Sequence, residues 1–329
     1  NGKRNGLCET FCFKNNNNPF VLHGPIEIRE NYKDGKRNGS WERFYTNGKL
    51  FQKGNIKNGL REGLWERFDK NGNLEETKEY KDGIELSKTQ FEYFENGQLE
   101  WRENYKNGKR DGLWEGFHGN GQLWSKKNYK DGTEHGLAEE FYDNGQLEWR
   151  VNYKDGTEDG LRETFYSKSD NNPLVLHGPI NTRGNYKDGK RDGLVENFYK
   201  NGQLRNRKNY KNGKRDGLVE NFYKNGQLKY KLNYKNGELD GLSEMFHENG
   251  HLSWRGNFKN GKRDGLVENF YKNGQLKIRI NFKNGEQHGL WEGFHENGQL
   301  ERKGNFKNGK PDGLWEYFDR DGNLDDIPF

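Results

Sequence analysis

The chain has 329 residues, 33% of them charged and 29% hydrophobic, with 45 glycines and an aromatic share of 14%. So few aliphatic residues exclude a large compact core, and regularly placed Phe, Tyr and Trp exclude a disordered chain, which leaves a thin repetitive structure. A formal net charge of +5 argues against a dedicated nucleic-acid binder, and no apolar run reaches the roughly 18 residues of a membrane-spanning helix. No signal-peptide core is visible either, and the chain opens at Asn1 inside a repeat rather than at Met, which leaves the compartment open.

The first unit opens at Gly6 and carries Cys8 and Cys12, the only cysteines. Four positions apart on one strand, their Cα atoms stand roughly 13 Å from each other, too far for a bridge, so both are read as ordinary thiols. Counted from Gly6, units open at Gly39, Gly63, an irregular stretch near Ser87, then Gly112, Gly136, Gly160, Gly193, Gly217, Gly241, Gly265, Gly289 and Gly313, a step of 24 residues almost throughout. A fixed period of that size marks a repeat architecture, here one continuous array over 1–329 of about 13 units.

Within one unit, "NG" after each apolar run (Asn225-Gly226 and Asn236-Gly237) supplies the positive-φ pair of a type I′ hairpin turn. The first turn is predicted to be tight, and the second, "NGKRDG", to be a longer loop. Leu228, Tyr230, Leu232 and Tyr234 alternate with Lys229, Lys231 and Asn233, so the second strand has one apolar and one polar face. The first strand is apolar on both sides, with Leu218, Glu220 and Phe222 on one and Val219, Asn221 and Tyr223 on the other. Paired glycines recur too often for a helix. The expected fold is therefore all-β: an elongated, twisted antiparallel meander of about 25 strands, a single-sheet ribbon or open solenoid. Its apolar face is expected to curl on itself or to meet a second copy.

The unit "G-L-W-E-x-F-x-x-N-G-x-L … N-Y-K-N-G-K-x-D-G" resembles the variant MORN repeat, found in bacterial proteins labelled YwqK-type antitoxins and in repeat proteins of some large DNA viruses. The resemblance covers nearly the whole chain. It implies β-hairpin repeats in a twisted sheet serving as a scaffold for protein or membrane contacts, and it carries the antitoxin label as a further reading.

Two units, 6–38 and 160–192, are longer by nine residues, and both insertions contain "VLHGPI" at an offset of 154. Pro19, Pro25, Pro173 and Pro179 donate no ladder hydrogen bond, so the insertions are expected to leave the sheet, and His23, Pro25, His177 and Pro179 become candidate partner contacts. The irregular unit at 83–97 has lost its internal glycine, and a β-bulge or kink is expected there.

For chemistry, Glu115, Glu139, Glu163, Glu196, Glu220, Glu244, Glu268 and Glu292 recur at one position of the unit. Acid–base catalysis needs a single pair with separated pKa values in a pocket, so a row implies a structural task. The asparagines before the aromatic, such as Asn209 and Asn233, are expected to satisfy backbone groups. No phosphate-cradling glycine loop, catalytic triad or ligand-spaced His/Cys set is present in the sequence, so neither an enzyme nor a cofactor or metal is expected.

Two binding features remain. Trp41, Trp65, Trp114, Trp291 and Trp315 take the Val219 position, and alternation assigns them to the outward face as candidate partner-binding aromatics, with the Leu/Phe face as the core. Lys109, Arg110, Lys214, Arg215, Lys262 and Arg263 make a candidate basic edge. The reading that results is a non-enzymatic scaffold for protein contact or self-assembly. Its alternatives are an anionic lipid or nucleic-acid surface on the basic edge, and carbohydrate on the aromatic row, as in the hairpin repeats of choline- and glucan-binding proteins.

Overall fold

The computed structural model describes residues 2–12, 24–167 and 177–325. These form 27 strands and no helix, and the pairing is antiparallel in an open sheet that does not close into a barrel. Two of the strands, Thr133–Glu134 and Glu238–Leu239, are the leading halves of strands interrupted at His135 and Asp240. Contacts divide the chain into two units, one up to Thr157 and one from Glu158 onward, and each is built from the same hairpin.

One hairpin shows the construction. The strand Lys214–Phe222 pairs with Leu228–Lys235 in the register Val219 to Leu232, Glu220 to Lys231 and Asn221 to Tyr230. The turns are the reverse of the expectation. Asn236 and Gly237, at φ 52° and 96°, form the two-residue type I′ turn, and Lys235 and Glu238 pair directly across it. "KRDG" is not loop but strand. The turn after Phe222 has three loop residues: the Tyr223 amide donates to the Gln227 carbonyl at 2.8 Å, the Gly226 amide donates to Tyr223 at 2.9 Å, and in Lys224-Asn225-Gly226 only the glycine is left-handed. That is a type I turn closed by a left-handed residue.

The glycine that opens each unit makes a bulge. Lys208 faces Val219 and Tyr210 faces Arg215, so Asn209 alone stands opposite Asp216, Gly217 and Leu218, with Gly217 at φ 97°. The asparagine side chain fills the gap, donating from Nδ2 to the Leu218 carbonyl at 2.9 Å, as Asn104 does to Leu113 and Asn128 to Leu137, both at 2.8 Å. In the irregular unit, Glu79 faces Ser87 and Tyr80 faces Glu85, so Leu86 alone is extra and the bulge shrinks to one residue.

This register overturns the face assignment. Directly opposed residues share a face, so Val219 lies with Leu232 and Lys208, and Glu220 lies with Lys231 and Arg207. Most of the buried hydrophobic side chains, among them Val151, Val195, Val219, Val267, Ile280, Ala138, Trp65 and Trp291, are at or opposite the Val219 position, while Phe165 is a buried exception at the Phe222 position. The leucine after the opening glycine is on the other side and half exposed, at 43% for Leu161, 41% for Leu242 and 42% for Leu290. The Trp face, not the Leu/Phe face, is the core.

At the two long units, 13–23 and 168–176 lie outside the described residues, and with them Pro19, His23 and Pro173. The flanks stay on the sheet: the Cys12 amide donates to the Pro25 carbonyl at 2.9 Å and the Tyr166 amide to the Pro179 carbonyl at 2.8 Å. Both cysteines are free and partly exposed.

Candidate protein-contact face

The face opposite the tryptophans is ordered by charge. Most glutamates at this position meet a cation from a second strand: Arg183 with Glu196 at 2.5 Å, Lys231 with Glu244 at 2.5 Å, Lys53 with Glu66 at 2.6 Å, and Lys303 with Glu316 at 2.9 Å. Arg207 with Glu220 and Arg102 with Glu115 are closer pairs of the same kind. Some cations bridge two units, as Arg29 does between Glu9 at 2.9 Å and Glu42 at 3.2 Å, and Arg279 between Glu268 at 3.1 Å and Glu292 at 3.5 Å. These hydrogen bonds raise the Arg29 and Arg207 guanidinium pKa values above the ordinary range. Except in the Lys303–Glu316 pair, the carboxylates are the more buried partners and the cations roof them, also covering phenylalanine rings: Arg183 over Phe198 at 5.5 Å, Arg255 over Phe270 at 5.7 Å and Lys53 over Phe68 at 5.6 Å. The glutamate row is therefore structural.

Beside the ion pairs runs the exposed leucine row, Leu7, Leu64, Leu137, Leu161, Leu194, Leu242, Leu290 and Leu314. Two further rungs hold the units in register beneath it. Tyrosine hydroxyls donate to the carbonyl of the next unit's phenylalanine, from Tyr45 to Phe68 at 2.8 Å, Tyr199 to Phe222 at 3.0 Å and Tyr223 to Phe246 at 2.9 Å. Turn asparagines donate to the next turn, from Asn225 to the Glu248 carbonyl at 3.2 Å and from Asn273 to the Glu296 carbonyl at 3.0 Å. Leucine and ion pair thus repeat on a fixed comb.

The residues singled out from sequence fall elsewhere. Trp65 and Trp291 are buried, at 3% and 8% exposure; Trp41 packs on Trp65 with centroids 5.2 Å apart, Trp315 on Trp291 at 5.3 Å, and Trp114 edge-on to Trp124 at 5.5 Å. Rings used this way contribute to a core. The arginines of the basic edge are engaged: Arg110 with Glu103 at 2.8 Å, Arg215 with the Tyr234 hydroxyl at 3.1 Å, and Arg263 over the Phe282 ring at 5.3 Å. Lys109, Lys214 and Lys262 are exposed and face Lys106, Lys211 and Lys259 across the type I′ turns. Aspartate tempers them, since Asp216 accepts from the Asn236 amide at 3.0 Å. His177 stacks on Phe165 at 4.4 Å. Among the described residues, no group of three His, Cys, Asp or Glu side chains is placed to hold a metal ion, and no helix is long and apolar enough to cross a membrane.

Sequence reasoning missed the leucine row and the ion pairs. A signal existed for the second: Arg183 and Glu196, Arg207 and Glu220, and Arg255 and Glu268 all stand 13 residues apart.

Ten stretches match the MORN repeat variant: 37–58, 61–82, 87–107, 110–131, 134–155, 191–212, 215–236, 239–260, 263–284 and 287–308, more than half of the chain. The chain belongs to the MORN repeat variant family. Repeat proteins of this family are generally non-catalytic scaffolds that mediate protein or membrane contacts. No curated protein matches the sequence. Among solved structures, this MORN-repeat chain aligns with the "Crystal Structure of TcdB2-TccC3" at 10% identity and a TM-score of 0.24, over 91% of this chain and 19% of that one. It also aligns with the Photorhabdus luminescens Tc holotoxin pore carrying the TccC3-D651A mutation, at 11% identity and a TM-score of 0.18, over 90% and 19%. The chain thus spans about a fifth of the length of those structures, and at such scores the likeness carries no argument.

Proposed function

We propose that this MORN-repeat chain is a non-enzymatic scaffold that contacts another protein through its leucine and ion-pair face, and that the protein contacted is a second copy of the chain. The observation that carries the reading is the exposed leucine two residues before a paired glutamate in several units, at Leu7, Leu64, Leu194, Leu242, Leu290 and Leu314. Isolated apolar residues on a surface need no explanation, but a regular row does. Both charge signs recur at the same period, so a face of this kind is complementary to itself when two copies slide into register.

The test is light scattering over a concentration series on the native chain and on a variant with Leu161, Leu194, Leu242 and Leu290 all changed to Asn. The native mass should grow with concentration, and the variant should stay at monomer mass with an unchanged circular dichroism spectrum. A native chain that is monomeric throughout, or a variant that associates as the native chain does, contradicts the reading.

The lysine pairs across the type I′ turns favour a second reading, contact with an anionic membrane surface. Binding to vesicles containing phosphatidylserine that falls steeply with salt supports it, and binding that is absent or insensitive to salt removes it.

A further inference from the structure

In two hairpins of the N-terminal unit, the arginine that follows a type I′ turn is neutralised on the buried face. Arg37 Nε lies 2.7 Å from Glu30 Oε2, and the Tyr32 hydroxyl donates to Glu30 Oε1 at 2.9 Å. Arg110 Nε lies 2.8 Å from Glu103 Oε2, with the Tyr105 hydroxyl on the other oxygen. Both carboxylates are buried. Arginine and tyrosine thus grip one carboxylate from two sides, a strong arrangement away from water.

The equivalent positions in the hairpin of Ile180–Lys187 and Lys190–Phe198 are Gly184, Tyr186 and Arg191. The arginine and tyrosine are kept and the carboxylate is gone. Arg191 Nε donates to the Tyr186 hydroxyl at 3.3 Å and Nη1 donates to the Tyr210 hydroxyl at 3.5 Å. Among the described residues, no carboxylate lies within ion-pair distance of it.

Beside the missing side chain a cleft remains. Gly54 and Gly304 occupy the same position in their own hairpins, and each is covered by an indole: a β-carbon there would stand 2.3 Å from Trp65 or 2.4 Å from Trp315. At Gly184 the covering residue is Val195, whose Cγ2 would stand 2.8 Å from a β-carbon there but which is smaller than an indole and covers less beyond it. A cleft of about 410 Å³ results, lined by Arg162, Thr164, Thr182, Tyr186, Arg191 and Asn197 among others. That is large enough for a small organic acid or an amino-acid side chain.

Its charge is one-sided. Arg162, already paired with Glu158, replaces the apolar residue usual at its position, and Lys208 stands directly across from Val195 on the same face. The Thr164 and Thr182 hydroxyls, 2.8 Å apart, add polar groups on the far wall.

We propose that this cleft binds a carboxylate, which bridges Arg191 and Tyr186 in the place that Glu30 and Glu103 fill in the sister hairpins. Thr164, Thr182 and Asn197 hold the remainder of the ligand. The carboxylate comes either from a free small acid or from an acidic side chain of a peptide. The inference is independent of the leucine face, which lies on the other side of the sheet.

The experiment is a nitrogen-15 NMR titration of the arginine Nε–H signals of the full chain with succinate and, separately, with a blocked Glu-Glu dipeptide, at constant ionic strength against sodium chloride. A saturable shift at Arg191 with either probe is expected. If succinate saturates, the source is a free acid, and if only the dipeptide does, it is a side chain. Arg191→Gln should abolish binding. Tyr186→Phe, which keeps the ring in place and so guards against a folding defect, should weaken it by about tenfold or more. Shifts no larger than those with chloride, or binding unchanged in the well-folded Tyr186→Phe protein, overturn the proposal.

Discussion

Trp65 lies across Gly54 so closely that a β-carbon at the glycine would stand 2.3 Å from the indole, while Trp65 Nε1 donates to the Asn55 carbonyl at 3.1 Å. Trp41, opposite Gly54 in the register, packs on the same indole. Gly54→Ala must displace a ring held on both sides, at a cost of about 1–3 kcal/mol. Loss of amide protection should centre on residues 50–68, because a repeat array opens locally before it melts as a whole. Protection unchanged in that stretch means that the ring moves aside freely.

Glu268 is 2% exposed and is held by Arg255 and, at 3.1 Å, by Arg279. Changing Arg255 to Gln leaves Arg279 in place and should be mild. Changing both leaves a buried carboxylate without a counter-charge, a loss of about 3–5 kcal/mol, so the double variant should exceed the sum of the singles in denaturant melts. Additivity shows that the two arginines act separately.

Asp69 takes the place of the rung tyrosine in its unit. Desolvation works against its charge, but hydrogen bonds from the Asn73 backbone and side chain and from the Gly72 and Asn71 amides outweigh it and hold the carboxyl below its ordinary value. A depressed folded pKa contributes stability that is whole above the unfolded value near 4 and is lost as pH falls through the folded one. The turn at Asp69 should therefore lose amide protection on acidification, and Asp69→Asn should remove that pH dependence. A turn equally protected across the acid range argues against the carboxylate as its anchor.

Tyr271 donates to the Phe294 carbonyl at 2.8 Å, and burial, with Glu301 and Glu296 nearby, pushes its phenol up. The sign is opposite to that of Asp69: the rung is intact below the ordinary tyrosine pKa near 10 and fails as pH rises through the higher folded value. Tyr271→Phe should cost about 1 kcal/mol at neutral pH. Ultraviolet titration should show one late-ionising tyrosine fewer in the variant.

Much of the fold is legible in the sequence, because glycine pairs and two-residue alternation are local signals. The phase between strands is not. A first strand apolar on both sides gives no hint of which side is buried, and the choice is made by the bulge in which Asn209 alone faces Asp216, Gly217 and Leu218. The turns were interchanged for a related reason: the same Asn-Gly pair serves at both, yet only Asn236 is left-handed while Asn225 is not. The ion pairs were written in a constant offset between Arg and Glu, and the cleft at Gly184 stands out only when its hairpin is set beside those of Glu30 and Glu103.

The tyrosine rung has one consequence for how such a chain changes length. Most rungs link residues 23 positions apart, but that from Tyr166 to Phe198, at 3.0 Å, spans 32. Nine additional residues were thus absorbed at one hairpin end without loss of the bond that joins it to its neighbour. That hairpin end is a port for additional sequence, and 24-residue units that carry the tyrosine can be gained or deleted in frame, because each of those presents the same donor and the same acceptor.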